Sequence, residues 1–88
     1  HAWHLYVVQI DFPTLSTSRS QLMRQLHQAG IGTQVHYRPV HRQPFYVSNG
    51  LSLSGADRFY YDCLTMPLHV GMNKITVERC VATLLAAL

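Results

Sequence analysis

Lysine, acidic residues and paired cysteines are all scarce in this chain of 88 residues. Lys74 is its one lysine, and 4 acidic residues face 7 Lys and Arg, which gives a formal net charge of +3. So modest a charge does not by itself indicate a nucleic-acid-binding protein. Cys63 and Cys80 lack Cys-x-x-Cys spacing, so we interpret them as small buried hydrophobic residues in a reducing compartment. We therefore expect a cytoplasmic protein without a nucleic-acid partner.

Long apolar runs are also missing. No segment reaches membrane-spanning length and no signal peptide is recognisable, so we expect no membrane partner. The apolar fraction of 48% allows a packed core, whereas the charged fraction of 12% leaves few charges to cover a small globule. We therefore expect an apolar face that needs a partner. Because the chain begins with His1 rather than Met, we expect it to have been cut or trimmed from something larger.

Hydrophobic periodicity predicts one domain over residues 1–88 in which strands and helices alternate. Leu22 and Leu26 form an apolar stripe, with hydroxyl residues before it and Gly30 after it, which predicts a helix over 19–29. The predicted strands lie over 4–12 and 32–37, with a short edge strand over 65–68. A second helix is predicted from Ser54 to Leu64, with Ser54 and Asp57 as a capping box; its predicted buried residues are Phe59, Tyr60 and Cys63. A last helix is predicted over 75–88, capped by Asn73 or Thr76.

This order of elements predicts an α+β fold, a two-layer sandwich in which a small, mainly antiparallel sheet carries its helices on one face. Pro67 cannot donate a ladder hydrogen bond, so we place the strand over 65–68 at the margin of the sheet. Residues 48–54 form the loosest predicted segment. The chain holds little to cover the other face of the sheet, which favours a missing neighbour.

Residues 30–46, with the sequence GIGTQVHYRPVHRQPFY, concentrate aromatic, cationic and proline side chains in one connection. Pro39 and Pro44 fix the backbone and remove two donors, so this connection cannot continue as a central strand. A solvated loop rarely has such a composition. The segment therefore looks built to contact a ligand or another protein.

The nature of that contact stays open at this point. Zinc needs three or four converging ligands, and the cysteines fall on predicted helix cores, so we expect no metal site from His36 and His41. These two histidines are either hydrogen-bonding groups on a binding surface or ordinary packing and loop residues. Arg38 and Arg42 with Tyr37 have the chemistry to bind a phosphate and stack on a base. The alternative is that Phe45 and Tyr46 anchor the loop while both arginines are solvated.

No catalytic residue is predicted. The chain has no nucleophile elbow, no Cys beside a plausible His and no phosphate-binding glycine loop. Lys74 opens the last predicted helix, which is not an obvious desolvated pocket of the kind that a Schiff-base lysine needs. We therefore expect this chain by itself to bind no cofactor and to be inactive.

Residues 30–46 strongly resemble part of the nucleotide-sugar aminotransferases of the DegT/DnrJ/EryC1/StrS family, and the Gln-Val-His-Tyr and Pro-Val-His-x-Gln-Pro pieces are the most specific. The match continues in HAWHLYVV at residues 1–8 and in ADRFYYDCLTMPLH at residues 56–69. The resemblance thus covers essentially the whole chain. It implies the C-terminal small domain of a fold-type-I aminotransferase that uses pyridoxal phosphate.

In that family the cofactor lysine and most cofactor contacts belong to a larger domain, so the resemblance implies pyridoxal phosphate in a parent enzyme. The partner would be that large domain or a second copy of this chain. The parent reaction would transfer an amino group from glutamate to a ketosugar nucleotide. The resemblance places this chain on the substrate side, and the residues that it implies for nucleotide-sugar binding are Gln34, Val35, His36, Tyr37, Arg38, His41 and Gln43.

Arg38 and Arg42 stand where relatives often carry apolar residues. The added cations either answer a diphosphate or are simply tolerated on an exposed surface. The alternative to a detached substrate-side domain is a stand-alone ligand-binding or oligomeric interaction module that reuses the fold.

Overall fold

The computed structural model describes residues 2–47 and 50–88. Two strands and three α-helices follow one another in these ranges, together with a short 3-10 turn at Val40–Arg42. They are β1 (Tyr6–Gln9), α1 (Arg19–Gln28), α2 (Ser54–Asp62), β2 (Cys63–Met66) and α3 (Lys74–Ala87). The predicted α+β class is confirmed.

The sheet pairs the first strand of the chain with the second. β1 and β2 are antiparallel, with Tyr6 opposite Met66 and Gln9 opposite Cys63. On its other side β2 meets a single isolated bridge between Thr65 and Gln34. The predicted strand over 32–37 is therefore reduced to one bridging residue, because only Gln34 exchanges ladder hydrogen bonds with β2.

The strand predicted over 65–68 is observed as β2 over 63–66, one of the two strands of the sheet in the described residues, with a single bridge to Gln34 on its other side. All four of its residues are buried, and it has a backbone partner on each side. Pro67 follows the strand instead of lying in it, so its missing N–H removes no ladder hydrogen bond. The strand also begins at Cys63, directly after α2, where a helix had been expected to continue to Leu64.

α1 forms as the sequence predicts. The hydroxyl of Ser18 accepts a hydrogen bond from the backbone N–H of Gln21 at 3.2 Å, and the side chain of Gln21 accepts one from the N–H of Ser18 at 3.0 Å. These two bonds satisfy N-terminal groups that a helix leaves unpaired. Gly30 ends the turn after the helix at φ +82°, a left-handed conformation that glycine adopts without a side-chain clash.

The core lies where α1, the sheet and the two flanking loops meet. Leu22, Leu26 and Leu64 are fully buried, and the other buried members of the cluster are Ile10, Phe12, Ile31 and Met66. From α3, Cys80, Leu84 and Ala87 pack against this cluster while remaining partly exposed.

α2 differs from its prediction in two ways. Its N-cap is Leu53, which makes no side-chain capping bond, so the proposed capping box of Ser54 and Asp57 is wrong. Phe59 is 43% exposed and Tyr60 is half-buried, so of the three residues predicted as buried only Cys63 is. Asp57 instead serves the neighbouring loop, as described below. The loose segment predicted over 48–54 lies partly outside the described residues, and residues 50–53 have no regular secondary structure.

α3 begins at Lys74, one residue before its predicted start, and ends at Ala87. The side chain of Asn73 accepts a hydrogen bond from the N–H of Thr76 at 2.9 Å, which confirms Asn73 as the cap. The predicted apolar face of Val77, Cys80, Val81, Leu84 and Leu88 is only partly used, since Val77 and Val81 are almost half exposed.

Candidate substrate-recognition site

Thr65 of β2 anchors the first half of the segment over residues 30–46. Its backbone exchanges two hydrogen bonds with Gln34, at 3.1 and 2.8 Å, and its hydroxyl lies 3.0 Å from Nδ1 of His36. Thr65 is itself buried. Gln34 and His36 are therefore fixed to β2 by backbone and side-chain bonds respectively.

Tyr37 and Arg38 project from the protein directly after this anchor. Tyr37 is 68% exposed, and its ring meets the edge of the His36 ring with centroids 4.6 Å apart. The peptide bond between His36 and Tyr37 is cis. The carbonyl oxygen of Arg38 accepts a hydrogen bond from Nε2 of Gln43 at 2.9 Å, while the Arg38 side chain is exposed. An exposed aromatic residue and an exposed arginine thus follow one another directly after an anchored backbone.

The second half of the segment is tied to α2. Oδ1 of Asp57 accepts hydrogen bonds from Nε2 of His41 at 2.8 Å and from Nε of Arg42 at 2.6 Å. Arg42 also donates from Nη1 to the hydroxyl of Tyr61 at 2.8 Å, and its guanidinium lies 5.1 Å from the centroid of that ring. We call this group of four residues, His41, Arg42, Asp57 and Tyr61, the α2 brace.

The α2 brace is charged at neutral pH. The hydrogen bond from Arg42, followed by that from His41, holds the pKa of Asp57 below its ordinary value. The carboxylate is thus ionised and accepts both bonds, so Nε2 of His41 must carry a hydrogen. The hydrogen bond to Asp57, followed by that to Tyr61, raises the pKa of Arg42 above its ordinary value. Arg42 is engaged on both sides and is not the free solvated cation that one reading of the sequence offered.

An apolar groove lies on another part of the surface, between the sheet and α3. It has a volume of about 480 Å³, and its walls include Tyr6 and Val8 of β1 and Cys80, Val81 and Leu84 of α3. Tyr6 is 57% exposed and Val81 49%. An exposed apolar groove of this kind is typical of a contact with another protein surface.

The comparison with known protein families decides the identity. The model of the DegT/DnrJ/EryC1/StrS aminotransferase family matches residues 1–85. The chain belongs to this aminotransferase family. The predicted resemblance is therefore confirmed, although which end of a parent enzyme these residues form is not part of that match.

Relatives of this aminotransferase family member agree with the match. The spore coat polysaccharide biosynthesis protein SpsC of Bacillus subtilis is 35% identical over 83 residues, which cover 89% of this chain and 21% of SpsC. Among solved structures, the aminotransferase PseC of Helicobacter pylori, involved in the biosynthesis of pseudoaminic acid, has a TM-score of 0.83 at 27% identity and covers 96% of this chain and 23% of PseC. The aminotransferase TlmJ of Streptoalloteichus hindustanus has a TM-score of 0.77 at 29% identity, covering 94% and 21%. The chain spans about a fifth of the length of these relatives.

Lys74, the one lysine of this family member, does not fit the lysine site that pyridoxal phosphate needs. Lys74 has a side chain that is 88% exposed on the first turn of α3, with Nζ 3.7 Å from Oε1 of Glu78. A Schiff-base lysine requires burial or a cofactor-shaped pocket to lower its pKa, and this position offers neither. No group of three metal-ligating side chains occurs within residues 2–47 and 50–88. No helix in the same ranges is long and apolar enough to cross a membrane.

The seven residues predicted for substrate binding fall into two groups. Gln34, Val35, His36, Tyr37 and Arg38 form the half of the segment that Thr65 anchors. His41 and Gln43 lie in the half that holds the loop together, since His41 is buried against Asp57 and Gln43 bonds the backbone of Arg38. Phe45 is 85% exposed, so it does not anchor the loop to the core as one alternative assumed.

Sequence reasoning missed the partners of the site. Thr65 was assigned to a marginal strand, and Asp57 to a helix cap. Asp57 contacts residues 15 and 16 positions earlier in the chain, which no local pattern reveals. The one available signal was compositional: an acidic residue and a tyrosine four positions apart share one face of a helix, and a loop rich in cations precedes them.

Proposed function

We propose that this chain is the C-terminal, substrate-side domain of an aminotransferase that uses pyridoxal phosphate and acts on a nucleotide-sugar. The parent enzyme would transfer the amino group of glutamate to a ketosugar nucleotide, in the cytoplasm. The family match over residues 1–85 supports this proposal, since it covers the fold and the recognition segment together. This domain alone would bind substrate without catalysing the reaction.

The recognition surface we propose is residues 34–38, with Tyr37 and Arg38 as its main contacts. A tyrosine ring offers a flat face to a base or a sugar, and an arginine offers two parallel donors to a diphosphate. Both side chains are exposed and neither makes a side-chain hydrogen bond within the described part of the chain. Their backbone, by contrast, is anchored, so ligand binding would order side chains and leave the main chain unchanged.

Calorimetry on the complete gene product with UDP-glucose and dTDP-glucose tests this surface. We expect Tyr37→Ala and Arg38→Ala each to weaken binding by about tenfold, since each removes one hot-spot contact. Tyr37→Phe separates stacking from hydrogen bonding, because it keeps the ring and removes only the hydroxyl. Arg58→Ala is the matched control. Arg58 carries the same charge, its side chain on α2 is 87% exposed, and it pairs with Asp62 rather than with the recognition segment. Equal binding by all variants would contradict the assignment.

The cofactor part of the proposal has its own test. Because Lys74 is exposed and paired with Glu78, the 88-residue chain mixed with pyridoxal phosphate should show no stable Schiff-base absorbance. A stable band that Lys74→Ala abolishes would show that this chain holds the cofactor itself, and the proposed division of labour would then be wrong.

The apolar groove favours a second candidate, an oligomeric interaction module that reuses the aminotransferase fold. In that case two copies of the chain would cover each other's groove between the sheet and α3. Size-exclusion chromatography with light scattering separates the two readings. A chain that stays monomeric at high concentration excludes the module, whereas a stable dimer disrupted by Val81→Asp supports it.

A further inference from the structure

We infer that Asp57 is a positioning residue for nucleotide-sugar recognition, acting on Tyr37 and Arg38 through the α2 brace. The inference rests on the proposed function for its ligand and on the geometry of the loop for its mechanism. Asp57 itself need not touch the ligand. Its role is to fix the turn that follows the two contact residues.

One oxygen of Asp57 carries two bonds at once. Oδ1 accepts from His41 and from Arg42, at 2.8 and 2.6 Å, and the side chain of Asp57 is only 20% exposed. The side chain of His41 is 6% exposed, so a movement of the carboxylate would leave a buried ring N–H without an acceptor. The carboxylate therefore has one favourable position.

Tyr61 fixes Arg42 from the other side. The guanidinium lies over the ring and donates to its hydroxyl, so the plane of Arg42 is set by α2 at two points. Asp57 and Tyr61 are separated by one helical turn and lie on the same face of α2. A regular helix thus provides a rigid frame against which an irregular loop is held.

The fixed turn is connected to the contact residues. Within the 3-10 turn the N–H of Arg42 donates to the carbonyl of Pro39 at 2.9 Å. Gln43, the next residue, returns its side chain to the carbonyl of Arg38 at 2.9 Å. Tyr37 and Arg38 are consequently held from both sides: His36 is bonded to Thr65 before them, and the α2 brace follows them.

A purely structural role for Asp57 is the alternative. None of the residues of α2 is buried, and the core cluster is formed by α1, the sheet and the neighbouring loops, without α2. Loss of Asp57 is therefore expected to loosen residues 37–43 before it unfolds the domain. Local loosening and global unfolding give different experimental signatures.

Hydrogen exchange of the complete gene product tests the mechanical part without any ligand. We expect Asp57→Ala to speed exchange of the N–H groups of Arg42 and Gln43, which donate to the carbonyls of Pro39 and Val40, by about tenfold while residues 22–26 of α1 stay protected. Asp57→Asn keeps an acceptor oxygen and should restore part of the protection. Tyr61→Phe removes only the hydroxyl that accepts a hydrogen bond from Arg42. Asp62→Asn is the control, because it removes the same charge from the same helix, where Asp62 forms a 3.9 Å pair with Arg58. Exchange that rises equally in all regions, or only with Asp62→Asn, would overturn the inference.

Kinetics and a double-mutant cycle test the functional part. With UDP-glucose-derived or dTDP-glucose-derived ketosugar as substrate, Asp57→Ala should raise KM by about tenfold and change kcat by less than about twofold, as a loss of uniform binding does. Because Asp57 acts through Tyr37 and Arg38, adding Asp57→Ala to the Tyr37→Ala, Arg38→Ala protein should cost little more. Additive losses, or a fall in kcat alone, would refute the positioning role.

The two tests separate two kinds of failure. If the unaltered protein neither binds nor turns over these nucleotide-sugars, the proposed ligand is wrong. The exchange experiment still decides whether Asp57 fixes residues 37–43. If binding is present and Asp57→Ala leaves both exchange and KM unchanged, the proposed function stands and the positioning role is wrong.

Discussion

The two long helices of this chain use their apolar residues very differently. α1 has ten residues, and its Leu22 and Leu26 are completely buried. α3 has fourteen residues, is the more apolar of the two, and has no buried residue. The helices nevertheless pack against each other, and Nη2 of Arg79 on α3 donates to the carbonyl of Ala29 after α1 at 2.9 Å.

The difference shows which helix has its apolar residues covered by the rest of the described chain. α1 buries Leu22 and Leu26 completely in the core cluster, whereas α3 keeps Val77 and Val81 exposed along the groove. An apolar helix face that water reaches is costly unless another surface covers it. The contrast therefore marks α3, rather than α1, as the helix whose apolar face the described residues leave exposed.

The strongest test of the contrast is truncation in α1. Leu26→Ala should lower the free energy of unfolding by about 3 kcal/mol, because a fully buried leucine leaves a cavity when it is shortened. Leu85→Ala, in α3, should change it by less than about 0.5 kcal/mol, since Leu85 is 65% exposed. Urea denaturation of both variants gives the comparison. Similar losses would mean that the two helices are equally packed.

Thiol labelling compares the two cysteines without mutation. Cys63 is fully buried, and that burial raises the pKa of its thiol above the usual value, so little reactive thiolate forms. Cys80 lies half-exposed in the wall of the groove. In the 88-residue chain Cys80 should react with a maleimide on the order of a hundredfold faster than Cys63. Mass spectrometry measures the labelling of each cysteine over time.

The same labelling locates a cover over the groove. If another part of the complete gene product covers α3, labelling of Cys80 should slow markedly there relative to the 88-residue chain. Equal rates in both proteins would mean that the groove stays open.

A smaller effect is expected at Leu84, which links α3 to the core. Leu84 packs against the core cluster and is half-buried, so Leu84→Ala should cost about 1–2 kcal/mol, less than Leu26→Ala. Thermal unfolding of the two variants under one buffer condition checks the ranking. A loss at Leu84 as large as that at Leu26 would contradict the difference between the helices.

The smallest effect is expected on the exposed side of the groove. Val81→Ser should alter the stability of the 88-residue chain by less than about 0.5 kcal/mol, because Val81 already meets solvent. In the complete gene product the same change should reduce stability more, if the groove is covered there. Calorimetric unfolding of both proteins measures the difference, with Val70→Ser, on a fully exposed turn, as the control.

Local signals explain what the sequence predicted well. The cap at Ser18, the leucine stripe and Gly30 all lie within one helix or next to it, and α1 was placed within one residue of its observed end. The cap of α3 at Asn73 was found for the same reason. Capping and periodicity depend on near neighbours, so they survive whatever the rest of the chain does.

Non-local pairing explains what the sequence could not provide. Thr65 bonds Gln34 and His36 across about thirty residues, so these contacts could not be derived from the neighbouring Pro67. The two roles within the recognition segment were equally hidden. His41 is buried and hydrogen-bonded to Asp57, whereas Tyr37 is exposed, and no local pattern in the sequence distinguishes the two.

The pairing of β1 with β2 has a consequence for how this domain folds. β1 is complete by Gln9, yet its only strand partner among the described residues begins at Cys63, after about 55 further residues have been made. During synthesis on a ribosome, the apolar strand β1 would therefore remain without its strand partner while α1 and the recognition segment form. Substitutions at Val7 or Val8 should change the folding rate and aggregation of the nascent chain more than the unfolding rate, since closing this long loop precedes the stable sheet.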